Sequence, residues 1–300
     1  MTDNPPKQHD IKVCNHIVTY IDILGQKECL AKLPKVLLGE GKTDELMRSL
    51  KDTYGRVHNT RQTLEHYFNS AIHKQSSAWH NILSSEQKGI LKNMDQSDIR
   101  SQHFGDAMIF YSNLSNSQGI LNLSSSMMML GGCATIMIVG LQAGIPLRGG
   151  IEIGIAADWP EFGIYGSALY GAYDIAERVA QYPRIVIGEE LKKYLISWKN
   201  DIRDDPFHLI NRKIADICLS FIIEDQDGIP IVDFLNIHSL RGLFGDQNLR
   251  ELKDLVIKGF NFVKSEQARY KEEKNTKLAF RYCSLLDYYI DRLAGWEFGE

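Results

Sequence analysis

Residues 17–25 read IVTYIDILG, an extended, apolar-rich stretch closed by a glycine. By the two-residue period of a strand, Ile17, Thr19, Ile21 and Ile23 share one face, and Val18, Tyr20 and Asp22 share the other. The strand is read from Ile11 to Leu24, and Gly25 is a natural break before a helix. One residue is out of place. A carboxylate such as Asp22, at the end of an apolar strand, is costly to bury unless a cation or a metal compensates it.

Working outward, residues 103–112 (HFGDAMIFYS) read as a second strand or a hairpin carrying Gly105 and Asp106, the second acid set among apolar residues. Ser124, Ser125 and Ser126 lead into the apolar run Met127–Leu141. That run is short of the roughly 20 residues that span a bilayer and reads as a buried helix. Leu147–Ile155 reads as a third strand, with Leu147, Gly149, Ile151 and Ile153 on one face and Arg148, Gly150 and Glu152 on the other. Gly166–Ala180 reads as a helix, and Arg184–Ile187, just after Pro183, as a short strand. Lys42 to about Leu91 reads as two or more helices. Strands interleaved with helices in this way argue for an α/β sandwich, helices packed on a sheet. Past residue 200, Ile217–Glu224 and Ile229–Phe234 read as paired strands around Asp227-Gly228. Leu249–Leu293 reads as largely helical, its charged stretch Lys264–Lys277 being a solvated face or an inter-helix connection.

Composition narrows the classes. Of 300 residues, 44% are hydrophobic and 24% charged, ordinary values for a globular protein with ample chain for a core. A net charge of −4 gives no basic footprint for nucleic acid, leaving room for a local basic pocket. The five cysteines, Cys14, Cys29, Cys133, Cys218 and Cys283, show no zinc or disulfide spacing and read as reduced thiols. The polar segment Met1–Asp10 has no apolar stretch of the signal-peptide kind. A cytoplasmic protein with no membrane segment is the expectation.

The order of motifs carries a resemblance. YIDILG, FGDAMIFY, LRGGIEIG and YGSALYGAYDIAERVAQYPRIVI together resemble the catalytic domain of class III nucleotide cyclases, over roughly Val13–Lys193. In detail they look most like the pyrimidine cyclases of Pycsar antiphage defence. The resemblance implies a ferredoxin-like sandwich with helices on a mainly antiparallel sheet. It implies a polar segment at 1–12, a cyclase domain at 13–196, and a C-terminal hairpin and helical extension at 197–300. The implied activity is conversion of UTP or CTP into a 3′,5′-cyclic nucleotide and pyrophosphate.

Carried over residue by residue, the family's metal-binding aspartates fall on Asp22 and Asp106, with the Ile23 carbonyl as a further ligand. Two ions, Mn²⁺ or Mg²⁺, are implied: one lowers the pKa of the ribose hydroxyl and the other neutralises the triphosphate. The backbone at Leu24, Gly25 and Gln26, entering a helix, would meet the phosphates. The purine cyclases' ribose-positioning Asn and transition-state Arg fall on Tyr170 and Asp174, which share a helix face here. That departure opposes purine cyclisation and removes the usual cation. Arg148 and Arg100 are the candidates to replace it, with Arg178 and Arg184 weaker ones. Tyr20, beside Asp22, is read either as core or as a ring that shortens the base pocket.

A homodimer with composite sites is implied, as is a separate cyclic-nucleotide-responsive effector. The glycine-rich segment Gly131–Gly140 is a candidate for close packing near the dimer interface. Two other classes stay open: a catalytically silent domain that binds a nucleotide or a protein, and a two-metal phosphohydrolase or polymerase-like palm. The Arg148-Gly-Gly-Ile-Glu152 run only faintly resembles the GGDEF signature of diguanylate cyclases.

Overall fold

The computed structural model describes residues 12–25, 43–82, 85, 88–89, 98–115, 120–121, 123–159 and 162–296. The strands are β1 (Lys12–Ile23), β2 (Arg100–Phe104), β3 (Ala107–Asn113), β4 (Leu147–Trp159), β5 (Gly163–Gly166), β6 (Ile185–Ile187), β7 (Ile222–Glu224) and β8 (Pro230–Val232). The helices are α1 (Thr43–Ile82), α2 (Ser124–Gln142), α3 (Ser167–Arg178), α4 (Glu189–Lys199), α5 (Pro206–Ser220), α6 (Ile237–Glu272) and α7 (Thr276–Leu293). All eight strands form one sheet in the order β2-β3-β1-β4-β6-β8-β7, with β5 paired to β4. Among the described residues only β4 and β6 pair in parallel. The protein is α/β, with a mixed sheet.

The alternation read in β1 is what splits the core in two. Ile17, Ile21 and Ile23 belong to the main cluster, with Phe110, Leu147, Ile151 and most of α2. Val18 belongs to a smaller cluster on the opposite face, with Ile109, Ala168 and Ala172. α2 is apolar on all sides, and a helix of that kind has to be enclosed. Ser124 to Leu141 are all buried. It is the one described helix long and apolar enough to cross a membrane, and it lies wholly inside the protein. Its glycines are buried within this chain. A Cβ on Gly132 would lie 2.5 Å from the ring of Phe68 on α1, so the helix packing is internal.

α3 covers the other face. Its alanines, Ala168, Ala172 and Ala176, are buried against the sheet. The approach is too close for a side chain on β4, since a Cβ at Gly150 would stand 2.3 Å from the carbonyl of Ala172. Gly150 thus fixes the height of α3 above the strand that carries Arg148.

Several elements differ from the sequence reading. Thr43–Ile82 is one uninterrupted helix where two or more were expected. Ile217–Ser220 complete α5, and the strand begins only at Ile222, because Asp205 caps and Pro206 starts a helix whose apolar face takes Ile210, Ile214 and Cys218 into the core. β4 runs on to Trp159 and is extended sideways by β5, which had not been read. The C-terminal hairpin joins the same sheet, Val186 of β6 pairing with Ile231 of β8. The Lys264–Lys277 stretch holds the turn between α6 and α7.

Candidate functional site

Asp22 and Arg148 are direct cross-strand partners in the antiparallel β1–β4 ladder. The Arg148 Nε and Nη2 donate to the same carboxylate oxygen, Asp22 Oδ2, at 3.1 and 2.8 Å. Nη2 also donates to Oε1 of Glu177, in the last turn of α3. Asp22 is only 8% exposed, so this guanidinium is what compensates its burial. The cation required by the strand pattern was present in the sequence, but only the register joins it to Asp22.

Asp106 lies in the β2–β3 turn with Gly105, whose φ of +60° suits a glycine. The β1–β3 pairing runs to Ile21 opposite Met108. Two further steps in that register bring Ile23 level with Asp106, so both acids stand at one end of neighbouring strands. The hairpin is gripped by α1. Arg61 Nη1 donates to the Gly105 carbonyl at 2.9 Å, and Glu65 pairs with His103 at 3.0 Å.

Tyr20 gathers the cluster. Its hydroxyl pKa is pushed up to about 12, first by burial and then by the charges of Asp22, Glu177 and Asp106. Its ring meets Tyr173 edge-on at 5.3 Å. Together with Tyr170, Tyr165 and Phe104 these rings line an open groove of about 780 Å³. Phe104, Tyr165 and Tyr170 are 77%, 76% and 64% exposed. Tyr20 is therefore neither simple core nor simple surface: half-buried, it forms the floor where the groove meets the acids. Tyr170 borders the groove within the same chain as Tyr20.

The remaining candidates are placed as follows. Arg100 is ion-paired with Asp98 at 2.9 Å and with Asp158, on β2 level with Tyr111, and is not brought to Asp22. Asp174 pairs with Arg178 at 2.8 Å along α3. The Leu24 amide donates to the Pro146 carbonyl at 2.9 Å, so it is already used and would have to break that bond to meet a phosphate. Gly25 is exposed, Ile23 is buried, and Gln26 lies outside the described residues. Glu177 and Tyr173 were not singled out from sequence. Their spacing of four on α3, turned toward Tyr20 and Arg148, was the available sign.

Among the described residues no group of three or more His, Cys, Asp and Glu is arranged to hold a metal ion. The two acids expected to hold ions, Asp22 and Asp106, both bear on Tyr20 by their charges. A pair suits Mg²⁺ or Mn²⁺, which are commonly bound by one or two carboxylates together with substrate phosphates. It does not make a closed cage.

A scan of known protein families returned no model that matches the chain, and a search of curated proteins returned no match. The fold and site define an α/β protein with an aromatic-lined groove over its sheet and an ion-paired acid, Asp22, at one end of its central strands.

Proposed function

We propose that this protein is a metal-dependent nucleotide cyclase of the class III fold that acts on UTP or CTP. The carrying observation is Tyr20, which lines the aromatic groove and feels the charges of Asp22 and Asp106, with Arg148 paired to Asp22 across the strands. The chain order β1-α1-β2-β3-α2-β4 with strand order β2-β3-β1-β4 supports the ferredoxin-like reading.

In this reading Asp22 and Asp106 hold divalent ions together with the triphosphate, and the Ile23 carbonyl is the backbone candidate. The ions supply Lewis acidity and charge neutralisation when bound. O3′ gives its proton to solvent water and bonds to the α-phosphorus, and the bond from that phosphorus to the bridging β-phosphate oxygen breaks, releasing pyrophosphate. Arg148 is the cation proposed to meet the phosphates, because Arg100 is held by its own ion pairs with Asp98 and Asp158. Tyr20 and Tyr173 offer a ring-sized stacking surface. The exposed rings of Phe104, Tyr165 and Tyr170 support a homodimer across this face, and a separate effector that responds to the cyclic product completes the antiphage reading.

One observation favours a second reading, a silent nucleotide-binding domain: Arg148 already occupies Asp22. Incubation with each of the four nucleoside triphosphates and Mn²⁺, followed by product analysis, separates the two. The cyclase yields a cyclic pyrimidine nucleotide, whereas the silent domain yields binding without product.

A further inference from the structure

The Arg148 Nη2 is shared by two carboxylates from different elements, Asp22 of β1 and Glu177 of α3. The two sit at different depths. The side chains of Asp22 and Arg148 are 11% and 12% exposed, and that of Glu177 is 30% exposed. Glu177 therefore stands on the solvent side of the guanidinium. Both Arg148 contacts with Asp22 fall on Oδ2. A divalent cation that takes this oxygen must displace those contacts, and its charge repels the guanidinium.

From this geometry we infer that Glu177 is the second seat of Arg148, a positioning residue that receives the guanidinium when a divalent cation takes Asp22. The inference rests on the metal-dependent reading above and adds a residue to it. With Glu177 in place, Arg148 swings outward, toward solvent, and keeps a carboxylate partner throughout. Without it, Asp22 is the sole carboxylate paired with Arg148 among the described residues, and metal entry leaves a part-buried cation uncompensated. Arg148 is then a competitor of the metal, and Glu177 relieves the competition. The exchange breaks and forms only hydrogen bonds and ion contacts, so no co-reactant is needed.

The test is Mn²⁺ binding to the nucleotide-free full chain, read by electron paramagnetic resonance titration of free Mn²⁺, with circular dichroism on each variant. Glu177→Gln is expected to weaken Mn²⁺ binding about tenfold, and Arg148→Gln to tighten it about tenfold, within the usual range of coupling between sites. In the Arg148→Gln background, Glu177→Gln should have no further effect. Asp22→Asn should abolish the Mn²⁺ binding that depends on this site. Unchanged binding in Glu177→Gln, with binding still dependent on Asp22, overturns the inference and leaves the metal reading standing. A Glu177→Gln loss that persists in the Arg148→Gln background makes Glu177 a direct ligand and also overturns it. Equal Mn²⁺ binding by wild type and Asp22→Asn removes the metal reading itself, and the inference with it.

Discussion

Asp22 and Arg148 face each other across β1 and β4, and two nitrogens of the guanidinium rest on a single oxygen of the carboxylate. An acid buried at the end of an apolar strand thereby meets a countercharge, carried by the strand that α3 covers. The pair can be exchanged because Glu177 already touches the same nitrogen.

Removing the guanidinium leaves Asp22 buried without its partner. Arg148→Gln is expected to destabilise the metal-free protein by about 2–4 kcal/mol, slightly less than for a fully enclosed pair because the site is partly open. Urea unfolding with and without Mn²⁺ checks this. Mn²⁺ should restore more stability to the variant than to the wild type, through binding to the folded state alone. An equal Mn²⁺ effect on both proteins would count against the competition.

Gly150 is expected to tolerate no side chain. Gly150→Ala drives a Cβ into the Ala172 carbonyl and should cost about 1–3 kcal/mol by overpacking. Because α3 carries Tyr173 and Glu177, activity should fall further than stability predicts. Chemical unfolding with a parallel turnover assay separates the two effects. A fully active, fully stable variant would show that α3 does not hold the site.

Tyr20 gives an alkaline signature. Its folded pKa, about 12, lies above the ordinary 10, so the folded state holds the phenolic proton more tightly than the unfolded state. Its contribution to stability is complete below pH 10 and is lost as the pH rises toward 12. Tyr20→Phe should therefore show a shallower fall in stability across that window. Identical slopes for the two proteins would mean the ring does not feel the acids.

The same ring bears on substrate choice. A purine must find room for a second ring beside Tyr20 and Tyr173, at roughly 1–3 kcal/mol or about 5- to 150-fold in kcat/KM. Tyr20→Ala should narrow the gap between UTP or CTP and ATP or GTP. A gap that persists unchanged would locate selectivity elsewhere.

Much of this arrangement was legible in the sequence, and the reason is periodicity. The two faces of β1, the Gly105-Asp106 turn and the enclosure of α2 follow from local alternation and from runs of apolar residues, and each appears where it was read. What could not be read depends on register. Nothing local places Arg148 opposite Asp22 rather than one residue away, and a slip of one would turn it to the other face. The helical fate of Ile217–Ser220 was hidden for a related reason. A short β-branched run fits either state, and the cap at Asp205 decides it from a distance. Glu177 was passed over because its partner lies on another element.

The central claim requires both acids. Asp22→Ala and Asp106→Ala should each lower turnover by on the order of 10²-fold or more, beyond the loss expected for outer-shell changes around a metal. The fold, followed by circular dichroism, should be retained. Wild-type-like turnover from either variant would remove that acid from the site.

The most direct measurement is mass analysis of the products formed from UTP and from CTP by the wild-type chain with Mn²⁺. The account predicts a 3′,5′-cyclic pyrimidine monophosphate and pyrophosphate in equal amounts, with little product from ATP or GTP. Cyclic AMP or cyclic GMP as the main product, a linear monophosphate or diphosphate, or no conversion of any triphosphate would contradict it.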